Sequence, residues 1–278
     1  MSVTWSTAQK QRLIELNAGS AVQERLFLDA AERDECYQEV ESGLVSENKK
    51  ALMERKNSGS RPVVAQLEEK LADSLGKEGF VRVSTPIIIA KSMLEKMTIT
   101  SDSDLARQVF WLDQGKCLRP MLAPNLYALM RDLYRIWGDP VRIFEIGPCF
   151  RKESQGKSHL NEFTMLNLVE LGVPEGRQRE RLNELVKIVM GTVGIEDYRV
   201  VTDNCQVYGE TVDVLWGDLE LSSGAFGPHR LDYRWGIFAP WVGLGLGLER
   251  LSMAIEGHSN IRRVGRSISY LNGIRLNI

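Results

Sequence analysis

The run from Phe144 to Val169, FEIGPCFRKESQGKSHLNEFTMLNLV, constrains the fold more than any other stretch. An apolar segment breaks at Gly147-Pro148, a polar loop containing His159 follows, and apolar alternation resumes at Phe163. Two such runs around a charged loop predict an antiparallel hairpin. Side chains two apart in a strand share a face. Arg151 and Glu153 therefore point the same way. Phe163, Met165, Asn167 and Val169 share one face of the returning strand, and Thr164, Leu166, Leu168 and Glu170 the other.

An Arg and a Glu beside an aromatic suit a nucleotide. The guanidinium can fork onto phosphate, the carboxylate can accept from an adenine amino group, and Phe163 can stack on the base. A solvated salt-bridge strand fits the same residues, and the hairpin alone favours that plainer reading. The balance changes at Gly243-Leu244-Gly245-Leu246-Gly247-Leu248-Glu249-Arg250. Three alternate glycines strip one face of a strand, so a flat ligand can lie on bare backbone. Arg250 follows at the start of an expected helix, where guanidinium and backbone amides can both meet phosphate.

Several function classes are excluded by bulk properties. No apolar run approaches the ~20 residues of a membrane span, and the start, MSVTWSTAQKQR, lacks the apolar core of a signal peptide. The expectation is a cytoplasmic protein without a membrane partner. The four cysteines, Cys36, Cys117, Cys149 and Cys205, form no CxxC pair, which argues against structural zinc and a disulfide framework. A net charge of −2 requires any nucleic-acid contact to come from local patches. With 278 residues the chain suffices for one large domain with an appendage, or two domains.

Along the chain, Ser6 and Gln9 have capping-box spacing ahead of the apolar Leu13, Ile14 and Leu16. Asn17-Ala18-Gly19 ends that helix, and Val22, Leu26, Phe27 and Ala30 suggest a second. Asn57-Ser58-Gly59-Ser60 marks a boundary, separating a helical arm over 1–60 from a domain over 61–278. Lys49, Lys50, Arg55, Lys56 and Arg61 suit RNA phosphates or a solvated helix face equally well. In the larger domain Pro62 opens a helix with Leu67, Leu71 and Leu75 as its stripe. Residues 108–112 and 117–119 flank Asp113-Gln114-Gly115-Lys116 as an expected hairpin. Pro124 opens a helix to about Trp137 with Ala123, Leu126, Tyr127 and Met130 on one face, either core or pocket lining. Glu175 to Val193 reads as an amphipathic helix, and Thr211–Trp216 with Leu219–Ser223 as a tight hairpin. From His258 onward Arg262, Arg263, Arg266 and Arg275 occur with no acid, the better phosphate-contact candidate. Strands arriving in hairpins with helices between them predict an α+β fold built on an antiparallel sheet.

The Arg151/Glu153 hairpin and the glycine ladder with Arg250 resemble the second and third signatures of class II aminoacyl-tRNA synthetases. Gly79-Phe80-Val81 through Pro86-Ile87 resembles the first, a strand ending in proline at a dimer interface. LRPMLAPNLY (118–127), FEIGPCFRKES (144–154), HLNEFTMLN (159–167), VYGETVDV (207–214), GDLELSS (217–223) and SISYLNG (267–273) look like the pyrrolysyl-tRNA synthetase family, in its short form without a separate zinc-containing tRNA-binding domain. That resemblance implies activation of an amino acid by ATP and transfer to the 3′ end of a tRNA, in a homodimer. It further implies Arg151 and Arg250 on the α- and γ-phosphates, Glu153 and Phe163 on adenine, and His159 on the phosphate tail. Glu220 and Ser223 would bind magnesium with the nucleotide, making Arg151, Arg250 and Glu220 the catalytic set. Strict alternation puts Glu220 and Ser223 on opposite faces, so their joint role requires Ser223 to lie where the strand ends. The amino-acid pocket would comprise Ala123, Leu126, Tyr127, Met130, Asn167, Val169, Tyr208, Trp241 and Gly243. Asn167 is either an amide bonded to neighbouring backbone or, as the resemblance implies, the donor to the substrate's side-chain carbonyl. Two other readings stay open here: a phenylalanyl-like synthetase or non-tRNA paralogue, and an inactive RNA-binding regulator.

Overall fold

In the computed structural model, which describes residues 2–152 and 159–278, the Ser6 hydroxyl accepts from the Gln9 N–H and the Gln9 side chain accepts from the Ser6 N–H. That reciprocal cap starts α1 (Thr7–Glu15). The expected second helix shrinks to α2 (Ser20–Gln23), because Phe27 is drawn into an antiparallel bridge with Val3. Asp29 then accepts from the Ala31 and Glu32 N–H groups and starts α3 (Ala30–Ser58), which ends at left-handed Gly59. Trp5, Leu13, Ala18 and Phe27 form a small core covered by Cys36, Tyr37, Val40 and Leu44. Lys49, Lys50 and Lys56, on the later turns of α3, are exposed.

Met1–Pro62 and Arg262–Ile278 make one compact unit, and Val63–Ile261 a second. The basic C-terminal stretch thus packs with the N-terminal helices rather than inside the larger unit. Arg263 is the reason: it is buried, and its guanidinium donates to the carbonyls of Ile14, Glu15 and Gly273 and to Asn17 Oδ1. Carbonyls left over at the end of α1 are natural acceptors for a cation. Arg275 pairs with Glu15 at 3.5 Å. Arg263 and Arg275, both read as phosphate contacts, are therefore engaged within this unit. Tyr270–Leu271 and Ile274–Arg275 form a hairpin whose turn residues, Asn272 and Gly273, both have positive φ, as a two-residue turn requires.

The second unit begins with α4 (Val63–Lys77), which buries Leu67, Leu71 and Leu75. β1 (Val81–Arg82), β2 (Ile88–Ala90), α5 (Lys91–Lys96), α6 (Asp104–Arg107) and β3 (Lys116–Leu118) follow. Asp113 accepts from the Gly115 and Lys116 N–H groups and makes the expected turn. Its flanks meet in a single bridge, Trp111–Cys117, because β3 takes β2 as its ladder partner instead. Next come α7 (Ala123–Trp137), β4 (Val141–Phe150), β5 (Glu162–Leu171) and α8 (Gln178–Val193). The unit finishes with β6 (Arg199–Cys205), β7 (Gly209–Trp216), β8 (Leu219–Gly227), α9 (Asp232–Trp235), β9 (Trp241–Gly247) and α10 (Leu248–Glu256). The seven-stranded sheet runs β1-β4-β5-β9-β8-β7-β6, antiparallel except where β1 meets β4. The fold is α+β.

The sheet carries an apolar cluster on each face. Leu166, Leu168, Leu244 and Leu246 face a core with Leu71, Leu75, Leu185 and Met190 from α4 and α8. Each such side chain contributes about 1.5–3 kcal/mol on burial. Val169, Leu126, Tyr127, Met130 and Trp241 belong to the cluster on the opposite face. The site opens on that second face.

Candidate active site

β4 and β5 pair without interruption from Val141↔Leu171 to Phe150↔Glu162. Arg151 follows at the strand end, where its N–H donates to Asn161 O at 3.0 Å and its Nε donates to Pro120 O at 2.8 Å. Its guanidinium lies 5.3 Å from the Phe163 ring centroid, a cation–π contact that aligns both. Glu153 lies outside the described residues.

β9 sits between β5 and β8, with Gly243 opposite Val169 and Ala225, and Gly245 opposite Asn167 and Ser223. Val242, Leu244 and Leu246 fill the core, leaving the glycine face bare toward the site. The need for glycine is tangible at Gly245, where a Cβ would stand 2.9 Å from Asn167 Nδ2. The chain then turns into α10, whose first-turn Arg250 donates from Nη1 to the Glu220 carbonyl at 3.2 Å and to Glu220 Oε1 at 3.5 Å. Glu249, beside it in the cavity lining, is buried, accepts the Thr164 N–H at 2.9 Å and ties α10 to β5.

Glu220 and Ser223 reach the same cavity by a route different from the expected one. β8 does not end at Ser223 but continues to Gly227. Leu215 pairs with Glu220 and Val214 with Ser222, so Leu221 is an extra residue in β8. The bulge shifts the alternation by one, placing Leu221 toward the core while Glu220 and Ser223 line the site. The Ser223 hydroxyl donates to buried Asp213 at 2.6 Å.

Arg151, His159, Phe163, Glu220, Ser223 and Arg250 all line one cavity of about 400 Å³. Beneath it lies a narrower pocket of about 60 Å³, lined by Leu126, Tyr127, Met130, Val169, Trp241 and Gly243. Ala123, Asn167 and Tyr208 line both. The stripe on α7 is thus core and pocket wall at once. Asn167 Oδ1 is buried with no hydrogen-bond partner among the described residues, which removes the reading of a backbone-satisfied amide for that atom.

Residues missed by sequence reasoning support this arrangement. Arg119 and Glu145 form a buried ion pair at 2.7 Å. Arg119 also donates to Pro148 O, while Thr85 donates from N and Oγ1 to Glu145. Arg119 O accepts from Phe150 N, so the cluster anchors the strand end that carries Arg151. Buried Asp232 accepts from Tyr127 Oη at 3.1 Å and Trp241 Nε1 at 2.9 Å, fixing two pocket walls. Burial pushes its carboxyl above the usual range against the pull of those donors. Burial likewise pushes the Cys149 thiol up to about 12, and a thiol held protonated is a poor nucleophile. Glu249 and Arg119 lay inside stretches already singled out, but Asp232 carries no local signal at all.

A family model for the tRNA synthetases class II core domain (F) matches residues 46–272. A crystal structure of pyrrolysyl-tRNA synthetase from Desulfitobacterium hafniense superposes with a TM-score of 0.94 at 55% identity, covering 100% of both chains. The chain belongs to the class II aminoacyl-tRNA synthetases, in the pyrrolysyl-tRNA synthetase family. A second pyrrolysyl synthetase structure from the same organism is 54% identical with a TM-score of 0.91, over 99% of this chain and 96% of that one. Curated relatives are more distant. A histidine–tRNA ligase of Desulfosudis oleivorans is 25% identical over 49% of this chain and 33% of its own length. A threonine–tRNA ligase of Wolbachia pipientis is 30% identical over 34% of this chain and 15% of its own length. The chain spans a third or less of those two relatives. Among the described residues no helix is long and apolar enough to cross a membrane.

Proposed function

We propose that the protein activates pyrrolysine with ATP and transfers it to the 3′ end of its cognate suppressor tRNA. One observation carries the reading: the arginines of two distant segments, Arg151 and Arg250, line a single cavity that continues into an apolar pocket through Asn167. The upper chamber suits the nucleotide, with Arg151 and Arg250 on the α- and γ-phosphates, His159 on the phosphate tail and Phe163 against adenine. Glu153 completes the adenine contacts in this reading. The pocket suits a long lysine-derived side chain ending in a ring, whose amide carbonyl accepts from Asn167 Nδ2. An amide site of this kind rejects substrates lacking the partner group, because the buried amide is then left unpaired.

The nucleophile is the substrate's own carboxylate, already an anion, so no protein base is required. Its attack on the α-phosphorus displaces pyrophosphate, and catalysis reduces to alignment and charge neutralisation by the arginines. Glu220 and Ser223 offer hard oxygen donors that fit magnesium bound together with phosphate oxygens. When bound there, the ion would neutralise charge on the triphosphate. The basic later turns of α3 are proposed to meet tRNA phosphates. Self-association as a homodimer is proposed from class membership and from the exposed apolar Val81, Ile87 and Ile88.

ATP–pyrophosphate exchange across a panel of amino acids tests the reading. Exchange with pyrrolysine or Nε-acylated lysines is expected; exchange with phenylalanine alone would defeat the substrate assignment, and failure to bind ATP would defeat the activity.

A further inference from the structure

Tyr208 lines both chambers, yet it sits at the tip of an edge hairpin, between the end of β6 at Cys205 and the start of β7 at Gly209. Within the hairpin its N–H donates to Cys205 Sγ, at 3.2 Å. What ties its backbone to the body of the pocket is His229. The His229 Nδ1 accepts from the Leu231 N–H at 3.3 Å, and Nε2 lies 2.5 Å from the Tyr208 carbonyl. A carbonyl can only accept, so Nε2 is the donor in this contact. The His229 backbone N–H is in turn held at 2.5 Å by Asp232 Oδ2, which also accepts from Trp241 Nε1, while Oδ1 accepts from Tyr127. The rings close the arrangement: Tyr208 meets Trp241 edge-on at 6.1 Å and His229 at 5.7 Å, and Tyr127 meets Trp241 at 5.6 Å.

We infer that His229 and Asp232 form a positioning bracket that sets the three aromatic walls of the amino-acid pocket at once. Asp232 fixes Tyr127 and Trp241 from α7 and β9, and His229 extends the same carboxylate's hold to Tyr208 on a different hairpin. Neither residue touches the reacting atoms. Their effect falls on how the amino-acid side chain is received, while the phosphate groups, on Arg151 and Arg250, are served by other elements. The inference rests on the proposed amino-acid activation only for its kinetic consequence; the bracket itself is a claim about the hairpin tip.

Two measurements on the full-length protein test it, using His229→Leu and His229→Gln. Glutamine keeps an N–H donor at similar reach to Nε2; leucine does not. In pyrophosphate exchange, His229→Leu is expected to raise KM for the amino acid about tenfold with KM for ATP unchanged, the loss of one good hydrogen bond, and His229→Gln to restore most of it. In hydrogen exchange, amides of the 205–209 tip are expected to exchange faster in His229→Leu and near wild-type rate in His229→Gln. An equal rise in both KM values, or a glutamine variant as impaired as leucine, overturns the bracket. So does unchanged tip exchange in His229→Leu. Should the wild-type protein exchange pyrophosphate with no amino acid, the functional reading fails, and the tip measurement still decides the bracket.

Discussion

Arg250 and Asn167 line the same cavity in two different states of pairing. Arg250 meets Glu220 in a half-exposed pair at 3.5 Å, and pairs of that kind contribute about 0–1 kcal/mol. Arg250→Ala is therefore expected to lower Tm by no more than about 4 °C. It should reduce pyrophosphate exchange by roughly 100-fold or more, the usual cost of removing one preorganised charge-stabilising group. Thermal unfolding and exchange rates on the same preparation check both halves. Asn167 instead carries a buried oxygen without a hydrogen-bond partner among the described residues. Asn167→Ala is expected to leave ATP binding intact and to cut the preference for side-chain amide substrates by about tenfold, read as relative kcat/KM across the panel. Unchanged relative values would remove Asn167 from the pocket.

At the scale of elements, alternation made much of the site legible before any coordinates. The glycine face of β9 and the Phe163-to-Val169 face of β5 follow from the two-residue period, and both line the site. Ser223 lines the cavity with Glu220 without the expected strand end, because a bulge is a property of two paired strands and leaves no mark on one. Ser222 sits beside that bulge, and its hydroxyl is buried without a partner among the described residues. Ser222→Ala should raise stability by up to about 1 kcal/mol, since it removes a desolvated group with no partner among the described residues. Denaturant unfolding measures the gain, and a loss of stability would show that the hydroxyl is satisfied. The Arg119–Glu145 pair was invisible for a related reason, since its members lie on separate segments and only the fold makes them neighbours. Arg119→Leu strands a buried carboxylate and is expected to cost about 3–5 kcal/mol, seen as a lower unfolding midpoint with exchange activity falling in parallel.

For the molecule as a whole, charge along the chain proved a weaker guide than pattern. The tail arginines looked alike in sequence, but Arg263 is consumed by carbonyls at the end of α1, and burial lowers its affinity for the proton. No count of basic residues could reveal waiting acceptors some 250 positions away. The antiparallel sheet and the class of the fold were legible because hairpins declare themselves locally. The division of the chain was less so, because its two ends meet only after folding. The central claim concerns the larger unit alone: β4–β5 and β9–α10 converge so that Arg151 and Arg250 serve a single triphosphate. A crystal structure with magnesium and a non-hydrolysable ATP analogue tests it most directly. The account predicts both guanidinium groups on phosphate oxygens, the adenine against Phe163, and Arg250 drawn from Glu220 Oε1 toward the nucleotide. A bound nucleotide that leaves either arginine turned away from the phosphates would contradict it.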